Sequence, residues 1–346
     1  MKKTILVIGD IVPQFKIHSS FRDFLDKEKY FYRNGFSLKV AEYYAVLDGH
    51  LPDIKTQNIT VMMFFPYHYW DANIEIPSRD GRIYGDRSYG EKFNNLFKIV
   101  EEKLCHKYKD KHLHFINPPA SIRIDRDKKR TKSILRSFGI PTPKLCRVES
   151  YKDVLKILEK GKSVFIKPRF GAMGKGITFL APEHWRTNFI FRRGKIISRQ
   201  QDYGWSFFNI TGNKDFLKKL LARDVICEEA IEHPVVDGKK FDFRIYVIFD
   251  EIPYMYAKST LAKGIITNWS QGGTIEKASF LRKLPRGAVE KAKSLAKRTS
   301  RALKLNYTGV DVIFSKDFSN AYVLEAHSFP GYERGCDLMK SLVKKL

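Results

Sequence analysis

Gly309-Val310-Asp311-Val312 and, further on, Val323-Leu324-Glu325-Ala326-His327-Ser328-Phe329-Pro330-Gly331 are the stretches on which the reading of this chain turns. Both apolar runs have the composition of neighbouring strands, and each carries an acidic residue where a strand is normally buried. Asp311 sits between Val310 and Val312, and Glu325 follows Tyr322-Val323-Leu324. A carboxylate inside an apolar strand costs several kcal/mol in lost hydration unless it is paired or binds a cation. Two of them on adjacent strands suit a shared divalent metal held by oxygen ligands. On these residues alone two plainer readings stay open: both side chains face solvent at a sheet edge, or each pairs with a Lys or Arg.

Upstream, Val164-Phe165-Ile166-Lys167-Pro168 reads as a short apolar strand ending in lysine. It runs into Arg169-Phe170-Gly171-Ala172-Met173-Gly174-Lys175-Gly176-Ile177. Glycines let the backbone approach phosphate oxygens and turn several N–H groups toward them. A lysine ammonium at the rim adds charge-assisted bonds, each contributing about 1.5–3 kcal/mol. No Walker string G-x-x-x-x-G-K-[ST] is present, and no acidic residue closes a following βαβ unit as a dinucleotide fingerprint requires. An ordinary flexible turn has the same composition. Joined to the paired carboxylates, the loop becomes a nucleotide–metal hypothesis.

The order of signals resembles the ATP-grasp superfamily. Within it, the chain is most similar to the glutamate-adding peptide ligases that modify a ribosomal protein tail and to the spore-coat-associated ATP-grasp proteins. The resemblance runs from residue 117 to residue 335. It begins with Asn117-Pro118-Pro119, Asp127-Lys128-Lys129, and Leu135 through Gly139-Ile140-Pro141-Thr142-Pro143. It continues through Phe165-Ile166-Lys167-Pro168, the glycine loop and Cys227-Glu228-Glu229-Ala230-Ile231. Phe241-Asp242-Phe243-Arg244, then Thr267-Asn268 with Gly272-Gly273, lead to Asp311 and Glu325. The resemblance implies an α/β and α+β architecture: an ATP-grasp fold, two α+β lobes clasping ATP, preceded by an open α/β lobe.

It also implies roles. Lys128 and Lys167 take the nucleotide α- and β-phosphates, with Gly171, Gly174, Lys175 and Gly176 as the phosphate loop and natural lid. Glu228, Glu229, Ala230 and Ile231 form the hinge that holds adenine through backbone and acidic side chain, and Asp242 joins the nucleotide-binding set. Arg244 meets the γ-phosphate, where a rigid, always-charged fork suits a transferring phosphoryl group. Asn268 and the Gly272-Gly273 pair line the reacting centre, so Lys167, Arg244 and Asn268 are the catalytic candidates. Asp311 would hold one metal ion and Glu325 would bridge two, either Mg2+ or Mn2+. Plainer readings remain: Lys128 lies in a basic stretch, residues 123–136, suited to a solvated helix face, and Arg244 has Asp242 as a near partner.

One departure stands out. The family's closing motif is usually Glu-x-Asn, whereas this chain has Glu325-Ala326-His327. An imidazole nitrogen suits manganese or zinc better than magnesium. Either the second metal is bound more weakly, with His327 as a ligand that favours Mn2+, or a neighbouring residue or water replaces the amide oxygen, or His327 is a packed histidine in a protein that binds nucleotide without turnover.

Composition narrows the class. At 346 residues the chain exceeds one compact core, and 43% hydrophobic residues give it ample material to bury. Four cysteines without a C-x-x-C pair argue against structural zinc and disulfide frameworks. The N-terminal apolar run breaks at Gly9-Asp10 with no cleavage site after it, so a first strand is expected rather than a signal peptide. No run approaches the ~18 apolar residues of a membrane span, and the cytoplasm is the expected compartment. Sixty-three Lys+Arg against 38 Asp+Glu give a formal charge of +25, a field that attracts anions. An acidic acceptor is expected from the charge: a carboxylate-rich peptide, a polyphosphorylated small molecule or an anionic surface. The resemblance implies an acidic peptide or small-molecule carboxylate joined to an amine. A lysine-rich proteome would produce the same charge. No recognisable nucleic-acid motif is present, and none is expected as partner.

Three regions are expected. Residues 1–116 alternate strand-like runs (4–8, 59–65, 113–116) with amphipathic stretches such as 91–107, an open α/β lobe. Residues 117–225 form the small lobe with the glycine loop, including a hairpin that turns at Arg193-Gly194. Residues 226–346 form the large lobe with the metal site, where Ala288, Ala292, Leu295, Ala296 and Leu303 recur at helical spacing. The activity implied by the resemblance is ATP-dependent amide formation through an acylphosphate. The alternatives are a small-molecule kinase of the inositol-phosphate type, to whose closing motif Phe329-Pro330-Gly331-Tyr332 is similar, and a non-catalytic nucleotide-binding protein.

Overall fold

Strands that are buried on both faces organise the N-terminal lobe. The computed structural model describes residues 3–10, 24–26, 28–75, 83–198, 206–268, 272–330 and 338–346; Gly331, Tyr332 and Cys336 lie outside them. Strands β1 (Lys3–Ile8), β2 (Phe36–Ala41), β3 (Asn58–Met63) and β4 (His112–Ile116) form a parallel sheet in the order β2-β1-β3-β4. Parallel sheets covered on both sides read as continuous apolar runs, and Ile5-Leu6-Val7-Ile8 is one. Leu6 and Ile8 meet helix α1 (Arg87–Lys107) through Phe93, Leu96 and Phe97. Ile5 and Val7 face Tyr246, Ile248, Tyr256 and Tyr307 of the C-terminal sheet, so the N-terminal lobe is seated directly on the large lobe. Trp70, from the aromatic run after β3, is buried in the first of these cores, with Arg126 stacked 4.8 Å above its ring.

The small lobe is an antiparallel sheet. Strands β5 (Val164–Pro168), β6 (Thr178–Leu180), β7 (Trp185–Thr187), β10 (Phe208–Asn209) and β11 (Val225–Glu229) lie in the order β10-β7-β6-β5-β11. Helices α3 (Tyr151–Glu159) and α4 (Lys214–Leu221) cover it through Val154, Leu158, Phe216, Leu217 and Leu220. The hairpin of β8 (Ile190–Arg192) and β9 (Lys195–Ile197) turns at Arg193-Gly194, whose φ of 48° and 67° is the left-handed pair a tight hairpin turn requires. Two features differ from the expected lobe boundaries. A division at 225/226 runs through β11, which pairs with β5 and belongs to the small sheet. Helix α2 (Lys128–Ser137) places Leu135 in the core beneath the C-terminal sheet, so the chain around residue 135 is part of the large lobe.

The C-terminal sheet comprises β13 (Lys239–Ile248), β14 (Glu251–Leu261), β15 (Thr274–Ile275), β16 (Tyr307–Phe314) and β17 (Ala321–His327), ordered β15-β14-β13-β16-β17, with β12 (Val235–Val236) beside β13. Period-two alternation separates its faces. Phe241, Phe243, Ile245, Val310 and Val312 pack on Ala288, Ala292, Leu295 and Ala296 of helix α5 (Arg286–Leu303). The intervening positions turn the other way, and there Asp242 lies opposite Lys258, Arg244 opposite Asp311, and Asp311 opposite Glu325. The β16–β17 register shifts just beyond Asp311, so Leu324 is an extra residue beside Glu325. Bulges of this kind re-aim a side chain next to an active site. Asn117, buried at φ 62°, ties the end of β4 to this sheet by donating to the Tyr307 and Ser328 carbonyls at 2.6 and 2.7 Å.

Candidate functional site

The two sheets meet at a belt of alternating charge. Lys167, near the end of β5, donates to the Glu228 carboxylate on β11, and the other carboxylate oxygen is 2.8 Å from Lys132 Nζ of α2. Lys132 and Glu228 are almost wholly buried, with side-chain exposures of 4% and 2%. Lys128, at the start of α2, donates to the Gly171 carbonyl and lies 3.6 Å from Glu325. Across the C-terminal sheet Arg244 makes a two-pronged contact with Asp311, at 2.6 and 3.1 Å. Lys258 bridges Asp242 and Asp311 at 3.1 Å each, and the Thr267 hydroxyl donates to Asp242. Gly309 makes room for this arrangement: a Cβ there would stand 3.1 Å from Arg244 Cδ and 2.9 Å from Pro330.

Burial sets the charge states. It would hold the Glu228 carboxyl protonated, yet Lys132 and Lys167 together bring it down to about 2. Burial pushes the Lys132 ammonium down, with Glu228 opposing. Burial likewise favours the neutral forms of Asp311 and Glu325. Arg244 and Lys258 nonetheless hold Asp311 well below the usual carboxylate range, and Lys128 and His327 lower Glu325. Asp242 is raised by burial, only partly offset by Lys258.

The expected site residues divide into those brought together and those turned elsewhere. Lys128, Lys167, Asp242, Arg244, Asp311, Glu325 and His327 share this belt, and Glu228 holds it together. Arg244 takes Asp311 as partner, not Asp242. The Glu228 carboxylate faces the lysines rather than a base, and Glu229 pairs with Lys162 at 2.8 Å. In the hinge, the Glu229 and Ala230 amides donate to the Lys144 and Ser163 carbonyls, while Ile231 is half-buried. The Asn268 carbonyl accepts from Gly273 N–H at 3.0 Å, and Thr267 beside it is the residue that reaches Asp242. Within the glycine loop, the Gly174 carbonyl accepts from Asn188, and Gly176 lies against Phe189 and Pro168. Lys175 points away from the belt: it is buried, pairs with Glu75 at 2.6 Å and sits 4.6 Å over the Tyr84 ring. The loop is thereby docked on the N-terminal lobe.

Lys132 and Lys258 were not singled out from the sequence. Lys132 is hidden in the basic run of α2, although Thr131 and Leu135 beside it already mark the buried face. Lys258 follows an uncharged run within β14, Ile252-Pro253-Tyr254-Met255-Tyr256-Ala257, the same signal that exposed Asp311.

The carboxylates of the belt fit a hard divalent ion. Mg2+ takes one or two carboxylates and completes its shell with phosphate oxygens and water, and Asp311 and Glu325 supply such a pair. His327 Nε2 is already 3.3 Å from Asp311 and 3.9 Å from Glu325. Among the described residues no group of His, Cys, Asp and Glu encloses an ion unaided. Charge points the same way. Five cations (Lys128, Lys132, Lys167, Arg244, Lys258) face four carboxylates (Glu228, Asp242, Asp311, Glu325), too small a surplus to neutralise a triphosphate without divalent ions.

Comparisons with known proteins bear on this geometry. The chain is similar to the tetrahydromethanopterin:alpha-L-glutamate ligase of Methanocaldococcus jannaschii, 28% identical over 227 residues, covering 65% of this chain and 66% of that protein. The coenzyme gamma-F420-2:alpha-L-glutamate ligase of the same organism is 26% identical over 239 residues, covering 67% and 68%. This chain thus spans just under two thirds of the first relative's length. Its structure resembles a RiPP-associated ATP-grasp ligase from Chryseobacterium gregarium, solved with ADP and a leader and core peptide. That likeness has a TM-score of 0.56 at 14% identity over 99% of this chain and 96% of that one. The fold is therefore ATP-grasp. Among the described residues no helix is long and apolar enough to cross a membrane. The description YheC/D-like ATP-grasp matches residues 128–337, the span that carries the charged belt, and the chain belongs to that family.

Proposed function

We propose that this protein is an ATP-dependent carboxylate–amine ligase that forms an amide or peptide bond on an acidic peptide or amino-acid substrate. The observation that carries the reading is the closure of the belt: Lys128 lies 3.6 Å from Glu325, so the phosphate-side lysines and the acidic face of the large sheet form one site. The relatives named as glutamate ligases and the chain's charge of +25 support an acidic substrate.

In this reading a substrate carboxylate oxygen attacks the γ-phosphorus of ATP, giving an acylphosphate and ADP. The amine then attacks the acyl carbon, expels inorganic phosphate and loses a proton, leaving the amide. Lys128 and Lys167 neutralise the α- and β-phosphates. Lys132 holds Glu228 in place, and Glu228 in turn orients Lys167. Arg244 and Lys258 supply fixed positive charge where the γ-phosphoryl group transfers. Asp311 and Glu325 would hold magnesium, which supplies charge neutralisation between the phosphates. Asn268, whose carbonyl accepts from Gly273 N–H, lines the reacting centre, where water must be kept from the acylphosphate. No side-chain nucleophile is needed.

The test is ADP release in the presence of acidic peptides and free amino acids. Wild-type protein is expected to respond to at least one pair of them, and Lys167→Ala and Glu325→Gln are each expected to abolish the response while circular dichroism stays unchanged. Full activity in either variant contradicts the assignment.

A further inference from the structure

Two cysteines far apart in sequence face one another beside the charged belt. Leu145 forms an antiparallel bridge with Glu228. That register sets Cys146 directly opposite Cys227, and the Cys146 N–H donates to the Cys227 carbonyl at 2.9 Å. Side chains of opposed residues leave on the same side of the ladder. Hydrogen-bonded partners stand about 5.5 Å apart at Cα, inside the range of about 4.4–6.8 Å that a disulfide needs. The Cys146 thiol donates to the Lys144 carbonyl at 3.9 Å, and the nearness of the two thiols lowers Cys146 and, together with burial, raises Cys227. Cys146 is half-buried and Cys227 buried, so the pair has an accessible nucleophile and a shielded partner.

The surroundings give the pair leverage. Residues 141–146 form a strap between the two sheets. At one end the Val323 N–H on β17 donates to the Pro141 carbonyl at 2.9 Å, two positions before Glu325. At the other end the strap lies along β11, where Cys227 immediately precedes Glu228. Drawing the sulfurs to bonding distance moves the strap against β11, and Glu228 cannot follow without disturbing Lys132 and Lys167.

We propose that Cys146 and Cys227 are a thiol–disulfide pair, oxidised by a low-molecular-weight disulfide, whose closure weakens nucleotide binding at the adjoining belt. The Cys146 thiolate attacks the small disulfide, forming a mixed disulfide and releasing one small thiolate. Cys227 then gives up its proton to that thiolate and attacks the Cys146 sulfur, expelling the second one. Two protein thiols are oxidised and one small disulfide is reduced to two thiols. The effect on nucleotide rests on the ligase reading above; formation of the bond does not.

The experiment equilibrates the full chain in glutathione mixtures of graded oxidation, traps free thiols with N-ethylmaleimide, and maps the peptides. MgADP binding is measured by calorimetry on the same samples. The expected result is a Cys146–Cys227 cross-linked peptide and an affinity for MgADP reduced about fivefold or more, restored by dithiothreitol. Cys146→Ser is expected to be insensitive, and Cys105→Ser to respond as wild type. Cys146 accumulating as a glutathione adduct with Cys227 still free overturns the pair. A cross-link with unchanged MgADP affinity overturns its regulatory effect. If MgADP binds neither form, the nucleotide reading fails, and the peptide map still decides whether the bond forms.

Discussion

Glu228 shows how strongly one buried carboxylate depends on its partners. Its pKa is brought from about 4.5 to about 2 by Lys132 and Lys167 against the opposing effect of burial. Because the folded-state value is depressed, the stabilisation is complete above about pH 4.5 and is lost as pH falls toward about 2. Glu228→Gln removes the direct counter-charge of buried Lys132 and half-buried Lys167 and is expected to cost about 3–5 kcal/mol at neutral pH. Urea unfolding as a function of pH is the check: the gap between wild type and variant should narrow across that acidic window. A gap that persists unchanged at low pH would contradict the pairing. A second residue-scale prediction concerns His327, which contacts Asp311 and Glu325. His327→Asn is expected to shift the metal preference of ADP release toward Mg2+, and an unchanged Mn2+/Mg2+ ratio would remove His327 from the metal site. Legibility at this scale follows a physical rule. Asp311 and Glu325 were visible because a charge in an apolar strand is anomalous. Lys132 was not, because one more lysine in a basic helix is unremarkable until its depth is known. The inward turn of Glu228 and the diversion of Lys175 to Glu75 depend on contacts between segments distant in sequence, which no local pattern encodes.

Among the elements, the glycine loop is the one whose state matters most. The Phe170 N–H donates to the Gly85 carbonyl at 3.0 Å, and Lys175 is held by Glu75. A Cβ at Gly85 would lie 2.4 Å from Gly171 Cα and N, at a φ of +76° that side chains rarely adopt. Gly85→Ala is therefore expected to cost about 1–3 kcal/mol and to undock the loop, seen as faster hydrogen exchange at the Phe170 amide and greater reactivity of Lys175 toward acylating reagents. Unaltered exchange at Phe170 would mean the loop is held by other contacts. Strands and helices with strong patterning were legible: the doubly buried run of β1, the late strands β16 and β17 and the apolar stripe of α5 all form where the pattern places them. The β11 boundary was not, since Val225-Ile226-Cys227 pairs equally well with either neighbouring sheet on apolar content alone.

At the scale of the whole molecule, a chain of charge +25 folds around a belt that is itself nearly neutral. The excess charge therefore lies mainly outside the belt, where salt screens it over about 10 Å at 0.1 M. Raising ionic strength is expected to increase KM for an acidic substrate several-fold while leaving kcat nearly constant; a salt-independent KM would assign the charge to solubility alone. The arrangement of the lobes was legible in outline from the order of motifs. The seating of the N-terminal sheet on Tyr246, Ile248 and Tyr256 was not, because those residues read equally well as the interior of one lobe. The central claim is that the belt uses ATP to activate a carboxylate for attack by an amine. The most direct measurement supplies a responding acidic substrate with heavy oxygen in its carboxylate and follows the label by mass spectrometry. Transfer of one labelled oxygen into inorganic phosphate is the predicted result, whereas unlabelled phosphate or a stable phosphoester would contradict it.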